Sequence, residues 1–308
     1  MHLRSRNAFT LLELVAVLAV LAILAAIAVP RSTRLLDARR ERAAREQLAA
    51  LREAVLGPEP AAGAEPAGFL ADMGRLPQPV VTNGLQTLSE LWQCPEGAEW
   101  RVRQATAANG VAPDDADPDV WLAFGWRGPY AATDGDGALT DPWGRPLANP
   151  IGESDAPLTI RSGRVEGVRL ESPAAGPDDP DALRSVSFRT AETDASLVVS
   201  VQALDRNGSL APAPLGTVRV RVYQPDPDHP GRIDCVSGSA ASAAATAEVR
   251  IGSGLLPGRR TVRVESSLLG RGPVREVDLR PGDNLLRQTF TAGESAPEEE
   301  TNGVPDDG

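Results

Sequence analysis

The sequence predicts an α+β protein: a long N-terminal helix, transmembrane in its first half, packed on a small antiparallel β-sheet head and followed by an all-β sandwich. Three observations support this prediction. Residues 9–29 are apolar apart from Thr10 and Glu13. Residues 31–56 continue the helical pattern as an amphipathic helix, with apolar residues on one face and charged residues on the other. From residue 186 onward apolar and polar residues alternate with the period of a β-strand.

The composition of the chain excludes several classes of function. The 308 residues carry a formal net charge of −11, and the sequence contains arginine but no lysine. An acidic chain without a basic, aromatic stripe argues against nucleic acid as a main partner. Neither histidine lies beside a nucleophile motif, and the sequence has no zinc-ligand spacing or phosphate-binding loop. We therefore expect a protein that is not an enzyme and has no nucleic-acid partner.

The apolar N-terminal stretch allows two simple interpretations. As a helix it would reach roughly 30 Å, enough to cross the hydrocarbon core of a bilayer. Ala26-Ile27-Ala28 is a small-x-small site, so a signal peptidase would release a secreted soluble β-domain binding protein beginning at Val29. The second interpretation is an uncleaved signal anchor. Neither explains Glu13, because an ionised carboxylate in hydrocarbon costs about 3 kcal/mol or more unless it finds a partner.

A third interpretation comes from Ala8-Phe9-Thr10-Leu11-Leu12-Glu13. This stretch resembles the class III signal of type IV pilins and type II secretion pseudopilins, in which a prepilin peptidase removes a short leader and leaves the apolar helix in place. The resemblance implies a leader at residues 1–8, cleavage between Ala8 and Phe9, and N-methylation of Phe9. Ala8 departs from the family pattern, which usually has glycine there. The amine of Phe9 on a neighbouring subunit would neutralise Glu13 and favour assembly.

The same resemblance implies a location and a set of partners. The mature chain would be a single-pass inner-membrane protein, with its N-terminus in the cytoplasm and its head in the periplasm, extracted into a periplasmic pseudopilus on assembly. Its partners would be prepilin peptidase, the inner-membrane assembly platform and other pseudopilin subunits in homo- or hetero-polymers. Pro30 falls where family members commonly carry a helix-kinking proline. A minor type IV pilus subunit, for adhesion or DNA uptake, is the runner-up within the family.

The predicted order of domains follows from changes in composition. Gly57-Pro58 ends the helix, and the head is expected to start there. Residues 111–119 contain four aspartates and two prolines and are expected to form a solvated loop. The predicted domains are a helix at 9–57, a head at 58–185, a sandwich at 186–292 and a disordered acidic tail at 293–308. Within the head, strands are expected at 100–104, 120–126, 158–160 and 165–171, and a short helical stretch at 85–92.

Two motifs in the head extend the resemblance. Gly128-Pro129-Tyr130, followed by Asp141-Pro142-Trp143-Gly144, resembles the head of the major pseudopilin of type II secretion. As physical chemistry alone, Asp-Pro-x-Gly is a well-formed turn, because aspartate accepts local N–H bonds and proline fixes φ. The resemblance implies that the chain is a subunit of a type II secretion pseudopilus.

Acidic clusters in the head raise the question of calcium. Calcium takes about six to eight oxygen ligands from carboxylates and carbonyls. The loop around Asp178, Asp179 and Asp181 resembles the loop of calcium-binding pseudopilins, although Asp179 stands where that loop has glycine. Asp134 and Asp136 form a second candidate cluster. The alternative for both clusters is a solvated acidic loop.

The sandwich is predicted from six alternating segments with turn signals between them. Alternation of valine with arginine or glutamate predicts antiparallel sheets with one buried face and one solvent-exposed face. The pattern resembles immunoglobulin-like or carboxypeptidase-regulatory-like modules at the level of fold. We expect this domain to be displayed on the surface of a fibre. The predicted strands are 196–204, 217–223, 247–251, 260–264, 275–279 and 285–290.

Two cysteines leave two alternatives. Cys94 and Cys235 would form a disulfide in an oxidising compartment, or remain unpaired thiols. Their positions in different predicted domains favour unpaired thiols.

Overall fold

The computed structural model describes residues 11–58, 65–78, 80–82, 85–133, 139–140, 142, 158–161, 185–188, 193–212 and 214–291. Over these residues the chain forms a long helix, three small antiparallel strand pairs and a larger all-β domain. The α+β class is therefore confirmed. The predicted leader, the predicted acidic tail and Trp143 lie outside the described residues.

Helix α1 (Leu11–Leu56) runs for 46 residues and continues through Pro30 without a break. It ends at Gly57, which has φ 84° and donates its N–H to the Glu53 carbonyl over 2.7 Å. Glycine suits this position because a positive φ strains residues that have a Cβ. The predicted helix is thus confirmed over its described length. Among the described residues, no helix meets the length and hydropathy required to cross a membrane.

The head combines short elements. Helix α2 (Phe69–Met73) and 3₁₀ turns at Ser89–Leu91, Ala107–Asn109 and Pro113–Asp115 alternate with strands. Each described head strand pairs antiparallel with one partner. The pairs are β1 (Val80–Thr82) with β2 (Leu85–Thr87), β3 (Arg101–Ala105) with β4 (Asp117–Phe124), and β5 (Leu158–Arg161) with β6 (Ser185–Phe188).

One apolar cluster joins α1 to the head. Leu48, Leu51 and Val55 of the helix pack with residues from α2 and the 3₁₀ turn after β2, and with Phe188 of β6. Because β6 pairs with β5 and Phe188 is fully buried here, the head extends beyond residue 185, where the sequence predicted its end. Burial of these side chains gives α1 a fixed orientation on the head.

The β-sandwich consists of two sheets. Strands β10 (Thr246–Leu255), β7 (Ala195–Leu204) and β14 (Gly282–Thr291) lie in that order in the first sheet. The second sheet has the order β12 (Gly270–Arg271), β11 (Gly258–Ser266), β8 (Gly216–Pro225), β9 (Ile233–Ser242), and β13 (Arg275–Leu279) also pairs with β11. The core between the sheets is rich in valine, including Val199, Val201, Val218, Val220 and Val249.

The prediction of purely antiparallel sheets is wrong at one edge. Strand β14 pairs with β7 in parallel, with Gly282 opposite Ala195 and Thr291 opposite Leu204. The chain leaves β13 in the second sheet, turns at Arg280-Pro281, and enters the first sheet in the same direction as β7. The long intervening chain supplies the crossover that parallel neighbours require.

The face of the second sheet that points away from the sandwich core is covered by the head. Val120, Leu122 and Phe124 of β4 pack against Tyr223 and Ile233 of the sandwich in a third apolar cluster. As a result β8 and β11 are buried on both faces over much of their length. The prediction of a solvent-exposed arginine face is therefore wrong for these strands.

Candidate assembly helix and head–sandwich interface

The first half of α1 exposes its apolar side chains. Between residues 14 and 23, where side chains are described, all seven leucine, isoleucine and valine side chains are 50–62% exposed. They are distributed around the whole circumference of the helix, because their positions advance by about 100° per residue. A helix that is apolar on every side and uncovered by its own chain is suited to an apolar environment or to other helices.

The second half of α1 is docked on the head. Ala44, Leu48, Leu51 and Val55 recur at helical spacing and are buried. The Gln47 side chain donates to the Thr140 carbonyl over 2.7 Å, which ties the helix to the segment beyond the first head strands. The single helix therefore has an exposed apolar segment at residues 14–23 and a second half built into the head.

The structure places the predicted signal residues only in part. Glu13 and Pro30 lie within α1, but their side chains are outside the described set. Ala8 and Phe9 lie outside the described residues, as do Asp134, Asp136, Asp178, Asp179 and Asp181. Calcium binding therefore stays a prediction. Within the described ranges, no group of three or more His, Cys, Asp or Glu side chains is placed to hold a metal ion.

The buried carboxylate of Asp72 binds two other side chains of the head. Its carboxylate accepts hydrogen bonds from Arg127 Nε over 2.9 Å and from the Tyr130 hydroxyl over 2.8 Å. The hydrogen bond to Asp72 raises the pKa of Arg127, and burial, with the Asp72 charge second, raises the pKa of Tyr130. The Arg127 guanidinium also lies 4.3 Å from the ring centroid of Trp100. These contacts hold the Gly128-Pro129-Tyr130 segment against α2.

A second buried ion pair holds the far end of α2. Arg75 donates through both terminal nitrogens to Glu90, over 2.6 and 2.7 Å. The Glu90 carboxylate also accepts the Gln78 backbone N–H over 2.8 Å. Such two-point pairing satisfies the geometry of both groups and offsets the cost of removing them from water.

Among the residues that the structure describes, a group of buried charges lies between the head and the sandwich. Arg263 of β11 donates to Asp117 of β4 through Nε over 2.8 Å and through Nη2 over 3.1 Å. Burial alone would raise the pKa of Asp117, but hydrogen bonds from Arg263 and the Asp119 N–H, together with the Arg263 and Arg271 charges, hold it below its ordinary value. Asp117 is therefore a carboxylate that stays ionised because the sandwich supplies its partner.

Asp115 makes the second contact of the same interface. Its carboxylate accepts from Arg219 over 2.7 Å and from Arg221 over 3.1 Å, and its carbonyl accepts the Tyr223 hydroxyl over 2.8 Å. Arg221 is itself paired with Glu265 over 2.6 Å. Residues 111–119, predicted as a solvated loop, are thus an ionic contact between the two units, and that prediction is wrong.

Arg260 joins the sandwich to α2. Its buried guanidinium donates to carbonyls of Leu256, Pro257 and Arg259 and, over 3.3 Å, to the carbonyl of Ala71. Burial lowers the pKa of Arg260 to about 9, and the Asp72 charge opposes this shift. Four backbone carbonyls in place of a carboxylate fix this side chain at the boundary between the two units.

Sequence reasoning missed this interface, although the charges themselves were visible. Arg219 and Arg221 lie at alternate positions in β8, and Arg263 lies opposite Arg221 in β11. The acidic stretch of the head is opposite to these arginines in charge. The usual assumption that alternating charges face solvent wrongly predicted that the charged faces of β8 and β11 are exposed. The available signal was the opposite charge of two distant segments, the aspartates of residues 111–119 and the arginines of β8 and β11, which would have indicated a contact between them.

The two cysteines are unpaired. Cys94 is an exposed free thiol in the segment before β3, and Cys235 is a partly buried free thiol on β9 that packs against the third apolar cluster. The structure therefore shows no disulfide between Cys94 and Cys235. Burial, with the Asp115 charge second, raises the pKa of Cys235 to about 12.

Comparison with known proteins gives one informative match. Residues 3–29 match the family model for the prokaryotic N-terminal methylation motif. No curated protein matches the sequence. A crystal structure of a candidate carbohydrate-binding protein from Bacteroides uniformis matches with 18% identity and a TM-score of 0.20, over 30% of this chain and 40% of that one. That likeness is too weak to support any inference about fold or ligand.

The methylation motif covers the predicted cleavage site and the exposed half of α1. It implies processing by prepilin peptidase and assembly into pilus-like polymers. The chain therefore carries the N-terminal methylation signal of type IV pilin-like proteins.

Proposed function

We propose that this protein is a structural, non-catalytic subunit of a type II secretion pseudopilus. The observation that carries the proposal is the continuity of three features in one helix. The methylation motif at residues 3–29 includes the apolar side chains of residues 14–23, which the chain leaves exposed, and the same helix continues into a half that is docked on the head. A helix built in this way can leave a membrane and enter a polymer without rearranging the head.

The signal acts through Phe9 and Glu13 in this proposal. Prepilin peptidase cuts between Ala8 and Phe9, Phe9 is N-methylated, and the first half of α1 lies in the inner membrane with the head in the periplasm. Glu13 then stands in an apolar stretch where an unpaired carboxylate is costly. The amine of Phe9 on the adjacent subunit neutralises it during assembly.

The head and the sandwich move as one unit in this proposal. Buried ion pairs of Asp115 and Asp117 with sandwich arginines, and the contact of Arg260 with α2, resist separation because each broken pair leaves an uncompensated buried charge. The sandwich is therefore a fixed part of the surface that the polymer presents.

A minor subunit of a type IV pilus is the second candidate. The observation in its favour is the bulk of the fixed sandwich, because a head enlarged in this way is easier to accommodate at an end or at rare positions of a tightly packed polymer. In the remaining alternative, a secreted soluble binding protein that begins at Val29, residues 14–23 would be removed with the signal.

Substitution of Glu13 tests the function. In cells that assemble the protein, Glu13→Gln should be cleaved and inserted normally but should fail to polymerise, because the charge that pairs with the Phe9 amine is gone. Glu13→Asp is the matched control, since it keeps a carboxylate at the same position and leaves the exposed apolar side chains of the helix unchanged. Normal polymer formation by Glu13→Gln would contradict the proposed role.

A further inference from the structure

We infer that the outer face of the β3–β4 pair is a contact surface for a neighbouring copy of this chain within the polymer. The surface consists of Trp100, Val102 and Trp121, called here the Trp stripe. The inference rests on the proposed function, because it assigns a head surface to the assembly that α1 begins.

The register of the strands places these side chains together. Val102 lies opposite Ala123, and Gln104 lies opposite Trp121. Cross-strand partners point to the same face, and residues two apart on a strand share a face, so Val102, Trp121 and Ala123 lie on one side. Trp100, directly before β3, lines a pocket together with Ala123 of that side. Trp100, Val102 and Trp121 are 39%, 60% and 53% exposed. Leu122 and Phe124, on the opposite face, are buried in the contact with the sandwich.

The chemistry of the Trp stripe fits an apolar protein surface. A sugar or another polar ligand requires free hydrogen-bonding groups that converge beside the aromatic rings. The Gln104 side-chain amide next to Trp121 donates to the Pro118 carbonyl over 2.6 Å, and the Arg127 guanidinium over Trp100 is bound to Asp72. These two neighbouring donor groups thus already have partners within the chain, while the apolar surface remains open.

The size of the Trp stripe indicates what kind of protein covers it. At these exposures, two indole rings and a valine leave on the order of 300 Å² of apolar surface open, the size at which a patch often marks an interaction site. A stable complex between free proteins buries about 800 Å² on each partner. A net charge of −11 on each copy also opposes association of free copies. The occupant must therefore be held nearby by another contact.

Helix α1 supplies that second contact. Copies joined through their exposed apolar halves hold their heads at a high effective concentration, so a small patch is sufficient to add stability. In an open polymer each interface joins two different surfaces, and the Trp stripe of one copy therefore meets another part of the next head. The stripe then fixes the rotation of successive heads, which the helices alone leave less restricted.

Val102→Glu tests the inference in the full chain, in cells that process and assemble it. The control is Leu285→Glu, which places the same charge at an apolar position that is 63% exposed on β14, away from the head. We expect loss of sedimentable polymer for Val102→Glu and wild-type yield for Leu285→Glu, with the same mature N-terminus and melting temperature in both. Equal polymer yields, or equal losses, from the two variants would overturn the inference.

A photo-crosslinking amino acid at position 102 of the otherwise unchanged chain gives an independent measurement. The expected product is a covalent dimer of this chain in polymer fractions. Crosslinks exclusively to a different protein, or none in polymer that has formed, would overturn the inference and leave the proposed function intact. If the wild-type chain forms no polymer at all, the proposed function fails, and this inference fails with it.

Discussion

Asp117 of the head and Arg263 of the sandwich form a two-point ion pair in which the side chains are 1% and 6% exposed. The two residues are 146 positions apart in the sequence, and their contact fixes the distance between β4 and β11. Neither charge is stable alone in this position, because removal from water costs several kcal/mol for each ion. Asp117 of the head therefore neutralises Arg263 of the sandwich, and Arg263 neutralises Asp117.

Asp117→Asn is predicted to lower the free energy of unfolding by about 3 kcal/mol or more, because it leaves the Arg263 charge buried without its partner. The measurement is urea unfolding of a form that lacks the exposed half of α1. Asp119→Asn is the control, because Asp119 also contacts Arg263 over 3.2 Å but its side chain is 69% exposed. It should cost about 1 kcal/mol or less. Similar losses for the two variants would show that burial does not determine the strength of this contact.

The same pair predicts a dependence of stability on pH. The pKa of Asp117 is lowered in the folded protein, so the unfolded chain binds more protons as the pH falls below about 4, the ordinary pKa of aspartate. The contribution of the pair is therefore complete above that value and is lost as the pH falls through the folded pKa. Urea midpoints measured across this range should fall more steeply for the wild type than for Asp117→Asn. Parallel curves would mean that Asp117 does not supply this acid sensitivity.

Replacement of leucine by alanine is predicted to affect head stability differently in the two halves of α1. Leu51→Ala should lower the free energy of unfolding of the head by about 2–5 kcal/mol, because Leu51 is buried in the cluster that joins the helix to the head. Leu18→Ala, at an exposed position, should leave head stability unchanged when both full-length variants are compared in detergent. Thermal unfolding of the head, followed by circular dichroism, measures both effects. A large effect of Leu18→Ala would indicate that the first half of the helix also packs on the head.

The two thiols are predicted to react at very different rates. Cys94 is exposed, whereas burial raises the pKa of Cys235 to about 12, so that at pH 8 only about one molecule in ten thousand has the Cys235 thiolate. Mass spectrometry after treatment with a maleimide should show one rapid addition, at Cys94, and a second only after unfolding. The Cys94→Ser variant should show none until it unfolds. Failure of both thiols to react before reduction would reveal a disulfide.

Periodicity predicted most elements of this fold correctly. The six predicted sandwich strands are all present, since alternation of valine with polar residues reflects the backbone directly. Strand β9 was missed, because Ile233–Ser242 is rich in serine, alanine and glycine, which carry little strand signal. It forms nonetheless because β8 offers a complete partner for its backbone hydrogen bonds.

Burial of charge was less predictable than secondary structure. Charged residues at alternate positions, such as Arg219 and Arg221 in β8 or Arg263 and Glu265 in β11, look the same in sequence whether they face water or another domain. The difference depends on Asp115 and Asp117, which lie about a hundred residues away and reach these arginines only through the packing of β4 on the sandwich. In the same way, the local pattern of residues 8–13 identified the signal, which the family model matches over residues 3–29, but no pattern indicated that Trp100 and Trp121 share an exposed face.

The mature N-terminus is the measurement that tests the central claim most directly. Mass spectrometry of the protein isolated from membranes of its native cells should find a chain that begins at Phe9 and carries an N-methyl group. A chain that begins at Val29 would show that the exposed half of α1 is discarded as a secretory signal. A chain that begins at Met1 would show that no leader is removed. Either result would contradict assembly through this helix.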